Sequence, residues 1–546
     1  MIQLGAGALS ARAAAIILLT TSAAITAVAE TRMPSITGTI VPVTDGLMFL
    51  VALYAIVRVA MPAANGFWQL PWQKPSVAIV LAILGSLIAG WVGGVAWPNS
   101  GDEYSYAFLA DMLRAGRLWV PAPADPELFT TFHILVRDGR VFSPYPPAWS
   151  AYLMPFRQLG VVCLANPLLT GVLGIALAGA CERLKLDARV QRAGLALVLL
   201  TPFTMFLGGS LFPQTQAAAL TAAIVWTQLA DEEAPCRRYK LLIGVLFGLL
   251  LLTRYEVFAI VALIYGIDRL ALRRFGAIPD GMLVLAGVLP FAICLTVYNA
   301  GITGDPLRST LFWGQEVAPT DDTAVLGGHL AAAAFHNLFW AGSLAQFGGL
   351  PVAFLAVVGL AAKLRRRTCR FYDFLFPAAV VFYSFMPFTG GHQYGPRYLF
   401  WAWPIAVLTI LSAPVHTAGS LRFGGRRVAF EGFAAACLTY SAGAFLVLLV
   451  TTRLYIDARR EVFKAAPPDV PAIVLLPDRQ IKLWPWQIVS IPASNLDFTR
   501  NGIRWNGDVL YGRGDVHDAV VRACHLSGRH VYRWVGREQL QPVACP

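Results

Sequence analysis

Apolar residues fall along this chain in long blocks rather than in alternating stripes. The blocks lie near residues 11–29, 43–61, 76–97, 163–181, 193–211, 214–230, 241–253, 256–270, 281–299, 346–362, 372–389, 398–414 and 433–451. Most approach the roughly 20 residues that an α-helix needs to cross a hydrocarbon layer about 30 Å thick. Lipid offers no water to backbone N–H and C=O groups, so such blocks must pair them internally as helices. The pattern predicts a polytopic α-helical membrane protein with about 13 transmembrane helices. The blocks at 241–253 and 256–270 are short, and one re-entrant pair is the alternative reading for them.

The polar stretches between the blocks fix an expected orientation. "ERLKLDARVQR", "CRRYK", "DRLALRRF", "KLRRRTCR" and "LRFGGRR" are dense in Arg and Lys. All five fall on one side if the spans alternate, which makes that side cytoplasmic. The N-terminus is then cytoplasmic, and two long loops, 98–147 and 300–345, face out. The first block ends at Ala27-Val28-Ala29, which resembles a signal-peptidase site. Cleavage there would leave the topology unchanged. After about residue 452 the composition shifts to short β-like runs ("AIVLL", "QIVSI", "DVLYG", "HVYRWV") among Asp, Asn, Gly and Pro. The expected division is a transmembrane domain at 1–451 and a small outward-facing, periplasmic or extracellular, α/β or β-rich domain at 452–546.

Composition agrees with this picture. Only 14% of the 546 residues are charged, against about 25% in soluble domains. The net charge of +12 comes largely from the short basic loops, and no nucleic-acid motif accompanies it, so no nucleic-acid partner is expected. The eight cysteines show no metal-ligand spacing. Cys524 and Cys545 lie in the polar C-terminal region, where a disulfide or two free thiols are equally compatible with the sequence.

The stretch "WPNSGDEYSYAF", Trp97 to Phe108, places two adjacent carboxylates, Asp102 and Glu103, at the mouth of a span. Ser100 and Glu103 have the S-x-x-E spacing of a capping box, and acids at a helix start complement its dipole. Alternatively one acid is a general base, its pKa raised by partial desolvation. The two readings coexist if Glu103 caps while Asp102 faces a cavity. Asp102→Asn would then abolish turnover at nearly unchanged stability, and Glu103→Gln would retain more activity. Beyond the acids, Phe108, Leu109, Met112 and Leu113 recur at helical spacing, with Asp111 and Arg114 between them. This predicts an amphipathic helix suited to lying along the membrane surface.

Other candidates share the outward side. In "GGHQYGPRY", Arg397 can hold phosphate oxygens with its guanidinium fork or snorkel to headgroups. His392 and Tyr394 are candidates to orient substrate, as is Tyr145 in the rigid "PYPPAW". Arg254 and Glu256 in "LLTRYEVF" are ionisable groups where two apolar blocks meet, either functional or a mutual structural pair. Asp305 is a turn cap or a ligand. Asp102, Glu103, Asp305 and Glu316 are oxygen donors of the kind that a divalent cation accepts, although no spacing supports a metal site and no cofactor is required.

The stretches "GDEYSYAFLADMLRAGRLW", "YPPAW", "YNAGITGDPL" and "GGHQYGPRYLFWAWP", in this order and on one side, resemble the GT-C superfamily of membrane glycosyltransferases. The likeness is to protein mannosyltransferases and the lipid A aminoarabinose transferase. It implies a polyprenyl-phosphate-linked sugar as donor, an envelope glycan, lipid or protein as acceptor, and a bacterial cytoplasmic-membrane location. It further implies that the first acid of the "DE" pair does the chemistry, with no required metal. The chain departs from the pattern after the fifth span, where an "SHT"-like stretch is replaced by "FPQTQ", with Gln214 in the His position. Two other readings follow: a transporter or flippase of a lipid-linked or polar solute, and an inactive relative serving as an assembly subunit. The absence of repeated halves argues against the transporter.

Overall fold

The computed structural model describes residues 74–131, 133–273, 277–314, 336–337, 339–386, 394–413, 421–423, 426–428, 430–484, 487–526 and 528–545. The first two expected spans lie outside the described residues, as do residues 315–335 of the loop at 300–345. The described chain is a polytopic, largely α-helical membrane protein with a β-rich C-terminal region. Among the described residues, three helical segments are long and apolar enough to cross a bilayer: Val162–Arg183, Ile278–Thr303 and Phe433–Phe463. Two broken pairs qualify when joined: Ala188–Leu199 with Pro202–Gly209, bent by 55°, and Phe339–Gln346 with Leu350–Arg366, bent by 118°.

The helices that frame the site are α1 (Pro75–Trp91), α2 (Gly101–Arg114), α3 (Pro147–Gln158), α4 (Ala165–Arg183), α5 (Ala188–Leu199), α6 (Pro202–Gly209), α7 (Gln214–Glu233), α8 (Arg237–Leu251), α9 (Tyr255–Arg273), α10 (Ala277–Thr303), α11 (Leu350–Arg366) and α12 (Phe430–Arg460). The blocks at 241–253 and 256–270 form two separate helices, α8 and α9, joined by a tight connection at Leu252–Arg254. By their directions, α4 and α11 end in the Arg/Lys-dense loops, and α8 begins in one. The connection after α8 therefore lies at the opposite end of α8, and its Arg254 acts on Asp102 in the segment that follows α1.

The block at 398–414 is not one helix. It begins as a 3-10 turn at Arg397–Leu399 and becomes helical again only at Ala406–Leu411. Pro404 lacks the N–H that would continue the turn and restricts the residue before it. Leu399, Trp401, Trp403 and Ile405 are nonetheless buried, so its hydrophobicity serves the protein interior.

The helix α2 is also placed differently from the expected membrane-surface helix. Every residue from Glu103 to Ala110 is buried. Tyr104, Phe108, Leu109 and Met112 join one apolar cluster, while Tyr106 and Ala110 join another with Trp149 and Leu153 of α3. Its polar Asp111 is clasped by Arg157 of α3, Nε to Oδ1 at 3.1 Å and Nη2 to Oδ2 at 2.6 Å. An apolar stripe shows that a helix is buried on one face; it does not show what covers the other.

The helix α12 runs on to Arg460, past the hydropathy edge at 451, and leads into the C-terminal region. Its four-stranded sheet has β1 (Ala472–Leu476) at the centre, parallel to β2 (Val509–Arg513) and to β3 (His530–Gly536). An edge strand, Gln539–Pro542, pairs antiparallel with β3. Residues 472–476 are buried on both faces, as parallel central strands are. Cys524 and Cys545 are joined by a disulfide, with Cα atoms 5.5 Å apart. The sheet packs directly on the loop after α2: Leu128 and Phe129 share a cluster with Ile473, Leu475 and Leu510. Tyr104 of α2 donates its hydroxyl to the Asn495 carbonyl at 2.7 Å, and Arg459 at the end of α12 donates to that hydroxyl at 2.8 Å.

Candidate active site

The loop between α2 and α3 is shaped by a two-residue turn. "LVRDGRVF" folds as a hairpin, Leu135–Arg137 against Arg140–Phe142, with Asp138 at φ 50° and Gly139 at φ 71°. Two positive φ values make the turn that matches strand twist, which Asp-Gly adopts readily. The hairpin brings its two flanks, His133 on one side and Ser143-Pro144-Tyr145 on the other, back to the start of α2. Ser143 and Ser105 share a hydrogen bond of 2.7 Å. The Tyr145 carbonyl accepts from Tyr298 at 2.9 Å, and the Pro144 carbonyl from Thr310 at 2.8 Å. Ala148 N–H donates to the Leu252 carbonyl at 2.9 Å, which ties this loop to the α8–α9 connection.

Arg397 arrives from the far end of the sequence. Gly395 before it has φ 86°, and a Cβ there would stand 2.9 Å from the Phe203 ring, so the turn needs glycine. The Arg397 guanidinium lies 4.4 Å from the Phe212 ring centroid and 5.6 Å from that of Tyr398. Arg254 lies 5.5 Å from the same Tyr398 ring, and its Nε donates to Glu256 at 2.6 Å.

At the centre is Asp102. One carboxylate oxygen accepts from Arg397 and the other from the Tyr145 hydroxyl. His133 Nε2 lies 3.6 Å from the Tyr145-bound oxygen, and Tyr145 stacks on Tyr106 at 4.5 Å. Burial would raise the Asp102 pKa, but Arg397, His133, Tyr145 and Arg254 together bring it below the ordinary carboxylate value. The raised pKa expected of a general base is therefore absent in this state. His133 is itself held at φ 68°, a conformation that costs an ordinary L-residue roughly 1–2 kcal/mol.

Glu103 points the other way and is fully buried. The Ser100 hydroxyl accepts from the Glu103 N–H at 3.3 Å, as a cap does. The reciprocal half of the box is shifted by one residue: Glu103 Oε2 accepts from the Asn99 N–H at 3.2 Å and from the Ser100 hydroxyl at 3.2 Å. Its Oε1 accepts from the Leu211 N–H at 3.1 Å, pinning α2 to the segment that precedes α7. Burial pushes the Glu103 pKa up to about 7 against these donors. An acid raised in the folded state stabilises the fold below its unfolded pKa near 4.5, and that contribution is lost as pH rises through about 7. Wild type should therefore lose stability relative to Glu103→Gln between pH 4.5 and 7, a trend that thermal melts at several pH values would show; parallel curves would refute it. Because both oxygens accept backbone N–H groups, Gln can satisfy only one side. Glu103→Gln should cost about 1–3 kcal/mol at low pH while retaining turnover.

The remaining candidates are placed as follows. Tyr394 is buried and its hydroxyl accepts from Asn99, behind Glu103 rather than beside Asp102. His392 and Glu316 lie outside the described residues. Asp305 caps its own turn, accepting from the Leu307 N–H at 2.9 Å. Gln214 opens α7 two residues beyond Phe212, with its Oε1 buried and without a partner among the described residues. No group of three or more His, Cys, Asp or Glu side chains that could hold a metal occurs among the described residues. His133, Phe212, Tyr106 and Tyr398 were not singled out from the sequence. The Asp-Gly turn was the available signal for His133, since it folds the loop back on Asp102.

No protein-family model matches the chain, and no curated protein does. Solved structures do. ArnT from Cupriavidus metallidurans bound to undecaprenyl phosphate matches at 14% identity and TM-score 0.48, over 83% of this chain and 92% of that one. The archaeal oligosaccharyltransferase AglB from Archaeoglobus fulgidus, in complex with an inhibitory peptide and a dolichol-phosphate, matches at 11% identity and TM-score 0.42, over 73% and 62%. The Archaeoglobus fulgidus oligosaccharyltransferase in complex with zinc and sulfate matches at 12% identity and TM-score 0.43, over 73% and 60%.

Proposed function

We propose that the chain is a GT-C-type glycosyltransferase of the bacterial cytoplasmic membrane. It moves a sugar from a polyprenyl-phosphate-linked donor to an envelope glycan, lipid or protein at the outer face. The observation that carries this reading is the Asp102–Arg397 pair, a carboxylate and a guanidinium brought together from positions 295 residues apart in sequence. Arg397 Nε is buried without a partner among the described residues, so part of the fork is uncommitted. A phosphate can take the fork bidentately, which would draw Arg397 from Asp102 and raise that carboxylate's proton affinity. Asp102 then takes the acceptor's proton as the acceptor attacks the anomeric carbon. Polyprenyl phosphate leaves toward Arg397, with Arg254 adding positive charge nearby. One displacement inverts the anomeric centre.

The test is mass spectrometry of envelope glycans, glycolipids and glycoproteins from a deletion strain complemented with wild type or with Asp102→Asn. A glycan restored by wild type and missing with the variant supports the reading; identical envelopes from both strains overturn it. The proposed orientation has its own check. A reporter fused after Lys464 should report the outside and one near Arg366 the cytoplasm, and both on one side would break the assignment.

A further inference from the structure

Once polyprenyl phosphate has left and Arg397 has returned to Asp102, the proton taken from the acceptor cannot stay on that carboxylate. Arg397 and Tyr145 each donate to that carboxylate, and their pull favours its ionised form. The neighbour that can receive the proton is His133. Its Nε2 lies 3.6 Å from the same oxygen that Tyr145 binds, and its ring centroid is 5.7 Å from that of Tyr145. The distance exceeds a hydrogen bond, and such contacts commonly tighten only with substrate in place. The imidazole is 20% exposed and the Asp102 side chain 16%, so a proton on the imidazole can pass on to water.

We propose that His133 is the proton-accepting partner of Asp102 in the transfer reaction. The inference rests on the glycosyl-transfer reading above. The acceptor O–H bond breaks as its oxygen bonds to the anomeric carbon. The carbon–oxygen bond to phosphate breaks with its electron pair leaving on polyprenyl phosphate. The proton passes to Asp102 Oδ1, then to His133 Nε2, and on to water. The groups that set the imidazole's charge are those around it. Burial lowers its pKa most, Asp102 raises it and Arg397 lowers it, leaving it below the ordinary imidazole value. His133 is therefore neutral near pH 7 and ready to accept.

The experiment uses the full chain in liposomes with a polyprenyl-phosphate sugar donor, reading kcat/KM from pH 5 to pH 8.5. His133→Asn is the first variant, because Asn tolerates positive φ. His133→Gly is the second, because it keeps the backbone and leaves space for added imidazole. Wild type should lose rate on the acid side with an apparent pKa below about 6.5. His133→Asn should be at least tenfold slower at neutral pH and lack that acid limb. Imidazole should restore His133→Gly and leave Asp102→Asn inactive. Wild-type rate and pH profile in His133→Asn would overturn the proposal, as would a slow His133→Gly that keeps the acid limb and ignores imidazole. If Asp102→Asn and Arg397→Lys are also fully active, the transferase reading itself fails. If those two are impaired and only His133 is dispensable, the relay alone is wrong.

Discussion

Asp102→Asn is expected to stop turnover while tightening the grip on polyprenyl phosphate. Losing a positioned base typically costs 10²–10⁴ in rate. From sequence, Asp102 has no capping partner and its replacement looks harmless to stability. The structure changes that expectation, because Asp102 is the carboxylate that Arg397 and Tyr145 both address. Asn keeps one acceptor and loses the charge, so the fold should lose about 1–3 kcal/mol. The same loss removes the competitor for the guanidinium. Binding of sugar-free polyprenyl phosphate should therefore strengthen, by up to roughly tenfold, or about 1.4 kcal/mol. Calorimetric titration in detergent beside a turnover assay measures both. Normal turnover in the variant would leave the transferase reading without its base. A dead variant that binds the lipid phosphate more weakly would mean that Asp102 holds Arg397 in place for phosphate rather than competing with it.

Arg397→Lys should lower kcat/KM for the donor at least tenfold, equivalent to roughly 1.4 kcal/mol or more. Charge is preserved, so the loss measures geometry. The guanidinium lies over the Phe212 ring at 4.4 Å and near Tyr398 at 5.6 Å, with Nη2 on Asp102 and Nε uncommitted among the described residues. An ammonium group can neither stack in that slot nor present two parallel donors to phosphate. Since Lys still neutralises Asp102, thermal stability should fall much less than activity. Unchanged donor kinetics would show that Arg397 is an anchor, and the phosphate would have to be held elsewhere.

Both expectations draw on what local sequence conveyed well. Apolar blocks of membrane-spanning length pointed to helices, because lipid leaves backbone polar groups no other partner, and only the block at 398–414, buried in protein, departs from this among the described residues. The S-x-x-E spacing announced the start of α2, and the structure shows Ser100 capping it. The change of composition after about residue 452 announced a β-rich C-terminal region. Each is a local matter, settled by period, by dihedral preference or by transfer free energy within a few turns of chain.

The pairings that make the site were not local. Asp102 meets Arg397, and Tyr104 meets Asn495 and Arg459, through folding of the whole chain. Nothing in "GDEYSYAF" reveals that α2 would be enclosed on all sides, since periodicity reports the apolar face and not the cover of the polar one. Nor could spacing give the sign of the Asp102 shift: burial and neighbouring cations oppose each other there, and only their positions decide. Local pattern was enough to specify a membrane bundle, a capped acidic helix start and a C-terminal β-rich region. Which acid faces a guanidinium and which is locked among backbone N–H groups follows from the assembled fold, because charge interactions depend on distances that local sequence does not set.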